Sequence, residues 1–133
     1  MALDTDKESV ENEEQERLSL KFQRELNAGL VGLVLLAILD QAEEDLYGYQ
    51  IAKRLQLAAD GSPPVKQGAL YPVLRNMSAA GLLSSRVVPS YSGPPRRYYR
   101  ITPFGRAVAR AEAQRLSDLV KLARASGFVP KRA

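Results

Sequence analysis

The sequence predicts a mainly α-helical fold carrying one small β-hairpin, and three observations predict it. Apolar residues recur at helical spacing in four stretches, two short Val-, Tyr- and Ile-rich runs flank a Gly-Pro-Pro turn, and a Thr-Pro pair opens the last helical stretch. A chain of 133 residues has the size of one domain with a modest core.

Residues 1–17 are polar and glutamate-rich and cannot bury enough surface to offset the entropy of ordering, so a frayed tail or the exposed start of a helix is expected there. From Leu18 the apolar positions Leu18, Phe22, Leu26, Leu30, Leu33 and Val34 predict a first helix continuing to about Leu39. Asp40 to Leu46 reads as a short acidic connection. Tyr47, Ile51, Ala52 and Leu55 mark one face of a second helix ending near Leu57, and Ala59 to Pro64 is a loop by its turn chemistry.

The third helix is expected to begin between Lys66 and Gly68 and to close at Gly81. Leu70, Val73, Leu74 and Met77 form its core stripe, and Gln67, Tyr71, Arg75 and Ser78 its opposite, hydrogen-bonding face. Pro72 lacks an N–H and crowds the carbonyl of Gly68, so it is expected near the first turn. Leu83–Pro89 and Arg96–Thr102 are the hairpin strands around a turn at Ser90–Pro95. In the second, Arg97, Tyr99 and Ile101 alternate with Arg96, Tyr98 and Arg100. Thr102-Pro103 starts the last helix, to about Ser126, with Ala109, Ala113, Leu116, Val120 and Ala123 as a narrow seam.

This order of elements is that of a winged helix-turn-helix followed by one long C-terminal helix. The expected division is an acidic extension at 1–17, the winged domain at 18–103, the terminal helix at 104–126 and a tail at 127–133.

Charge is distributed unevenly along the chain. Residues 1–26 hold eight acids against four bases, a net of about −4, and the remainder holds fifteen bases against seven acids, a net of about +8. Between Tyr47 and Arg106 the bases Lys53, Arg54, Lys66, Arg75, Arg86, Arg96, Arg97, Arg100 and Arg106 face one acid, Asp60. Solubilising charge is the bland explanation; its concentration on one module is the footprint of a polyanion binder. There is no cysteine and no histidine, which removes disulfides, thiolate chemistry, the commonest general base and the usual metal ligands. No catalytic constellation, metal or cofactor is expected, and the composition suits a reducing cytoplasm. The longest apolar run, Ala28 to Leu39, falls short of the roughly 20 residues that span a bilayer, and the acidic start is unlike a secretory signal.

In a helix-turn-helix the second helix of the unit enters the major groove. Glutamine can read adenine, arginine can read guanine and tyrosine can reach a phosphate, so Gln67, Tyr71 and Arg75 suit that face; a solvated amphipathic helix has the same pattern, and the adjoining hairpin tips the balance toward DNA. Arg96 and Arg97, directly after the turn, are expected to project from the hairpin tip toward phosphates or a minor groove, although basic tips also occur as plain solvated surface. Tyr98 and Tyr99 read as strand packing. Lys53 and Arg54 suit either the DNA backbone or solvent, and Tyr47 and Tyr49 either a phosphate or the core.

These segments resemble the PadR family of bacterial transcriptional regulators. The resemblance rests on Tyr47-Gly48-Tyr49-Gln50-Ile51, on Gly68-Ala69-Leu70-Tyr71-Pro72-Val73-Leu74 running into Ala80-Gly81-Leu82-Leu83, and on Gly93-Pro94-Pro95-Arg96-Arg97-Tyr98-Tyr99-Arg100-Ile101-Thr102 with Gly105 after it. It covers roughly Leu26 to Leu122 and is most similar to the small subfamily with one terminal helix. The resemblance implies a homodimer on a pseudo-palindromic operator in double-stranded DNA, acting as a repressor released by a small apolar or aromatic inducer between subunits. It implies DNA contacts at Tyr47, Lys66, Gln67, Tyr71, Arg75, Arg96 and Arg97, and a dimer interface at Leu26, Leu30, Leu116, Leu119, Val120 and Ala123. Ala69 stands where a hydroxyl residue is frequent in the family, and the acidic extension is longer than usual. The alternative is a winged-helix adaptor that docks a protein and does not touch DNA.

Overall fold

The computed structural model describes residues 2–59 and 67–130, with side chains described for 5–59 and 68–130. Four helices and three strands follow in the order α1 (Ala2–Gln41), β1 (Leu46–Tyr47), α2 (Gly48–Ala58), α3 (Gln67–Ala79), β2 (Leu83–Val88), β3 (Arg96–Ile101) and α4 (Pro103–Ala125). The chain divides into two compact units, Met1–Val31 and Gly32–Ala133.

The first unit is helical throughout its described length. Of the two expectations for the segment before Leu18, the exposed start of a helix is the one found, and α1 starts at Ala2: glutamate, lysine, arginine and glutamine are good helix formers, and pairs such as Glu14 with Arg17, 3.8 Å apart, add support one turn apart. Its side chains from Thr5 to Leu26 are solvent-exposed. By length and composition alone α1 could cross a membrane, since an 18-residue window reaches a mean hydropathy of 1.5. Part of that apolar stretch is used otherwise, because Leu35, Leu36 and Leu39 are buried in the protein core.

The second unit holds a winged helix. Its core joins Leu35, Leu36 and Leu39 of α1, Leu46 of β1, Ile51 and Leu55 of α2, and Leu70, Leu74 and Met77 of α3. Leu83, Tyr99 and Ile101 of the sheet complete it with Ala109 of α4. The stripe expected on the third helix is therefore the face that packs. Pro72 lies inside α3 rather than in its first turn, and the carbonyl that its ring crowds belongs to Gly68, which carries no side chain.

The sheet has three antiparallel strands in the order β1-β3-β2. β2 pairs with β3 from Leu83 opposite Ile101 to Val88 opposite Arg96, and β1 takes the other edge of β3, with Leu46 opposite Tyr99 and Tyr47 opposite Tyr98. The segment expected to be only a connection thus ends in a short strand, formed because β3 offers it unpaired backbone groups.

The joint between α3, the sheet and α4 is built by three residues. Gly81 has φ +80, the left-handed conformation that glycine adopts without strain. The Thr102 hydroxyl donates to the Gly81 carbonyl at 2.7 Å and accepts from the Gly105 N–H at 2.9 Å, capping α4. Gly105 sits so close to the Leu82 carbonyl that a Cβ there would collide with it.

Candidate nucleic-acid interface

Helix α3 presents two residues of the expected reading face, Tyr71 and Arg75, at the surface, one turn apart, while Leu70 and Leu74 beside them are buried. The Tyr71 ring lies over Gly48 at the start of α2, where a Cβ would strike it. Glycine in the Tyr47-Gly48-Tyr49 run therefore lets the aromatic ring brace α2 against α3. Gln67 is the first residue of α3; its side chain and the whole of Lys66 lie outside the described residues.

The Gln50 side-chain oxygen accepts from the Tyr47 N–H at 3.1 Å, which ties β1 to the first turn of α2. The Tyr47 ring meets the edge of Tyr98 at 5.4 Å between centroids and stacks on Tyr49 at 6.4 Å. The guanidinium of Arg96 lies 4.5 Å above the Tyr47 ring centroid, and that of Arg86 lies 5.1 Å from the Tyr98 centroid. These are cation–π arrangements, which hold the arginines while leaving their N–H groups able to donate. Lys53 makes a looser contact of the same kind with Tyr49, at 5.9 Å.

Arg96 and Arg97 open β3 directly after the turn, and the alternation expected of that strand is found. They are consecutive in β3, so the pleat sends them to opposite faces. Arg96 joins Tyr47 and Tyr98 on the outer face; Arg97 shares the α3 side of the sheet, where its Nη1 donates to the Ser85 hydroxyl at 3.0 Å. There Arg75, Ser78, Ala79, Ser85, Arg97 and Tyr99 line an open cleft of about 300 Å³. Burial pushes the Tyr99 hydroxyl above the ordinary tyrosine value, against the opposing pull of the Arg97 and Arg75 charges.

The basic cluster is partly neutralised from within. Asp45, its side chain 10% exposed, accepts from Arg86 Nε at 3.1 Å and Arg100 Nε at 2.6 Å. The Arg100 hydrogen bond, with Arg86 behind it, holds this carboxyl below its ordinary value despite the opposing effect of burial. Arg106 donates to Asp40 at 2.5 Å. Arg75, Arg96 and Arg97 have no carboxylate partner among the described residues. Sequence reasoning missed Asp40 and Asp45 because they sit in what reads as a loop; the available signal was an acid just ahead of a β-prone pair, with one arginine on each strand of the hairpin, Arg86 and Arg100.

The expected interface residues lie on two helices. Leu26 and Leu30 of α1 are exposed, as are Leu116 and Leu119 of α4, while Val120 and Ala123 are half-buried. Leu33, Ala113, Leu116, Ser117, Val120 and Arg124 line a cleft of about 360 Å³ with Lys121.

The model of the transcriptional regulator PadR-like family matches residues 35–111, which takes in every element from the end of α1 to the first turns of α4. This chain belongs to the PadR-like family. Its members are transcriptional regulators rather than enzymes. The transcriptional regulator Rv3488 of Mycobacterium tuberculosis is 44% identical over 59 residues, 43% of this chain and 52% of that protein. The curated relatives are matched over 52% to 66% of their own lengths. Among solved structures, a PadR-like transcription factor from Bacteroides fragilis aligns with a TM-score of 0.66 and 26% identity, over 78% of this chain and 96% of that one. The PadR of Bacillus subtilis, solved in complex with operator DNA, shares the fold with a TM-score of 0.55 and 18% identity, over 62% of this chain and 46% of that one.

Proposed function

We propose that this PadR-like regulator is a homodimeric repressor that binds a pseudo-palindromic operator in double-stranded DNA, with α3 in the major groove and the β2–β3 hairpin on the flanking backbone. The observation that carries the reading is the exposed placement of Arg75 on α3 beside Arg97 on the hairpin, with no carboxylate partner among the described residues, on the face that a helix-turn-helix turns toward a duplex. The operator complex of the Bacillus subtilis neighbour supports it at the level of the fold. In this reading Tyr47, Lys66, Gln67, Tyr71, Arg75, Arg96 and Arg97 contact DNA. Leu26, Leu30, Leu116, Leu119, Val120 and Ala123 join two copies, and a small apolar or aromatic inducer enters near the α4 cleft and releases the operator.

Affinity for a mixed-sequence duplex, titrated against salt, tests the reading. Each phosphate neutralised contributes a slope of about −0.9 in log K against log salt, so a slope of several units is expected. A flat profile, or no binding, would favour a protein-docking adaptor. Selection of bound sequences should then return two half-sites about 34 Å apart, one helical turn.

A further inference from the structure

Within that DNA-binding reading, on which this inference rests, we infer that Arg75 and Arg97 do not act on separate groups but close on one phosphate, with Ser85 as the third donor. The two arginines come from different elements, α3 and β3, yet line one cleft of about 300 Å³ with no acid among its described lining residues. Arg97 is turned into that cleft by its 3.0 Å bond to Ser85. Ser85 accepts there and keeps its own O–H to donate. Tyr99, 3% exposed, also lines the cleft.

Two like charges sharing a partly apolar cleft repel one another, and an anion between them relieves the repulsion. A phosphate group fits this arrangement better than a base edge does. It offers several acceptor oxygens to donors arriving from α3, β2 and β3, whereas a guanine edge offers two acceptors in one plane to one guanidinium. The shared chemistry is the phosphate group; its source is either the DNA backbone or free phosphate. The assignment moves Arg75 from reading sequence to fixing register, and leaves sequence reading to the start of α3.

A double-mutant cycle on the full chain tests it, using a fluorescein-labelled mixed-sequence duplex over a range of salt, with Arg75→Ala, Arg97→Ala and the double variant. Each single change is expected to weaken binding on the order of tenfold, the scale of a lost charge-assisted hydrogen bond. The double change should be little worse than either single one, and all three should lose about 0.9 from the salt slope, one phosphate's worth. Losses that multiply, with about 1.8 lost from the slope, would overturn the shared site, as would an Arg75→Ala effect confined to selected operator sequences.

A second arm titrates inorganic phosphate at constant ionic strength while following the arginine Nε–Hε resonances by NMR. Saturable shifts at both Arg75 and Arg97, each abolished by removing the other, support the site with free phosphate as an occupant. Their absence beside a coupled duplex arm supports it with the DNA backbone as the source. If the unmodified protein binds no duplex, the DNA-binding reading falls and the phosphate arm alone decides; silence there as well overturns the clamp. Unchanged thermal unfolding of the variants, whose substituted side chains are exposed, excludes misfolding as the cause.

Discussion

Asp45 bonds Arg100 Nε at 2.6 Å, joining the segment before β1 to the central strand of the wing, and holds Arg86 of β2 at 3.1 Å with its other oxygen. One carboxylate thus spans both strands of the hairpin. Asp45→Asn is expected to cost about 1 kcal/mol, because the arginines remain solvent-exposed and screening limits the loss. The pH dependence has a fixed sign. The folded protein lowers the Asp45 value below its ordinary 3.8, so the contribution is complete above 3.8 and is lost as pH falls through the folded value. Urea unfolding at neutral and at acidic pH should show the gap between the two proteins closing with acid; a constant gap would mean that shape rather than charge matters.

Gly105→Ala should destabilise by about 2 kcal/mol or more, since a Cβ there meets the Leu82 backbone carbonyl, which cannot rotate away. Thr102→Ala should cost about 1 kcal/mol through loss of the cap on α4. Thermal unfolding ranks the two, and the reverse order would show that the joint relaxes more readily than its packing implies.

Arg96→Ala should remove about 0.9 from the salt slope of duplex binding while barely changing stability, because its contact with Tyr47 is a cation–π arrangement near the surface. Anisotropy measurements with the same duplex read the slope. An unchanged slope would take the outer face of the wing out of the interface.

Leu119→Lys, at an exposed apolar position of α4, is expected to leave the fold intact and to shift a homodimer toward monomer, because a charge would be buried at the seam. Sedimentation equilibrium checks the mass. Leu26→Lys on α1 should act in the same direction if both helices share that seam.

Much of this architecture is readable from local pattern. Leu70, Val73, Leu74 and Met77 declare α3 because one helical face repeats within a single segment, and Thr102-Pro103 declares the start of α4 because capping is local chemistry. β1 was not legible, since two residues become a strand only when β3, some fifty residues later, supplies the other half of the ladder. The partners of Asp40 and Asp45 were hidden for the same reason. The separation of Arg96 from Arg97 onto opposite faces was legible in the alternation of β3, because the pleat of a strand is local geometry. Ahead of Leu18 a frayed tail and the exposed start of a helix were both open, because those residues bury nothing and only their backbone propensity speaks for the helix that forms.

The place of β3 between β1 and β2 has a mechanical consequence. β3 is bonded to its hairpin partner on one side and to β1 on the other, so the hairpin is tied back along its β3 edge, and bending it away from α2 would tear the Leu46–Tyr99 and Tyr47–Tyr98 pairs together with the grip of Asp45. In the proposed complex with DNA, accommodation to grooves of different width would then fall to side chains and to the duplex, whose cost of deformation depends on its sequence.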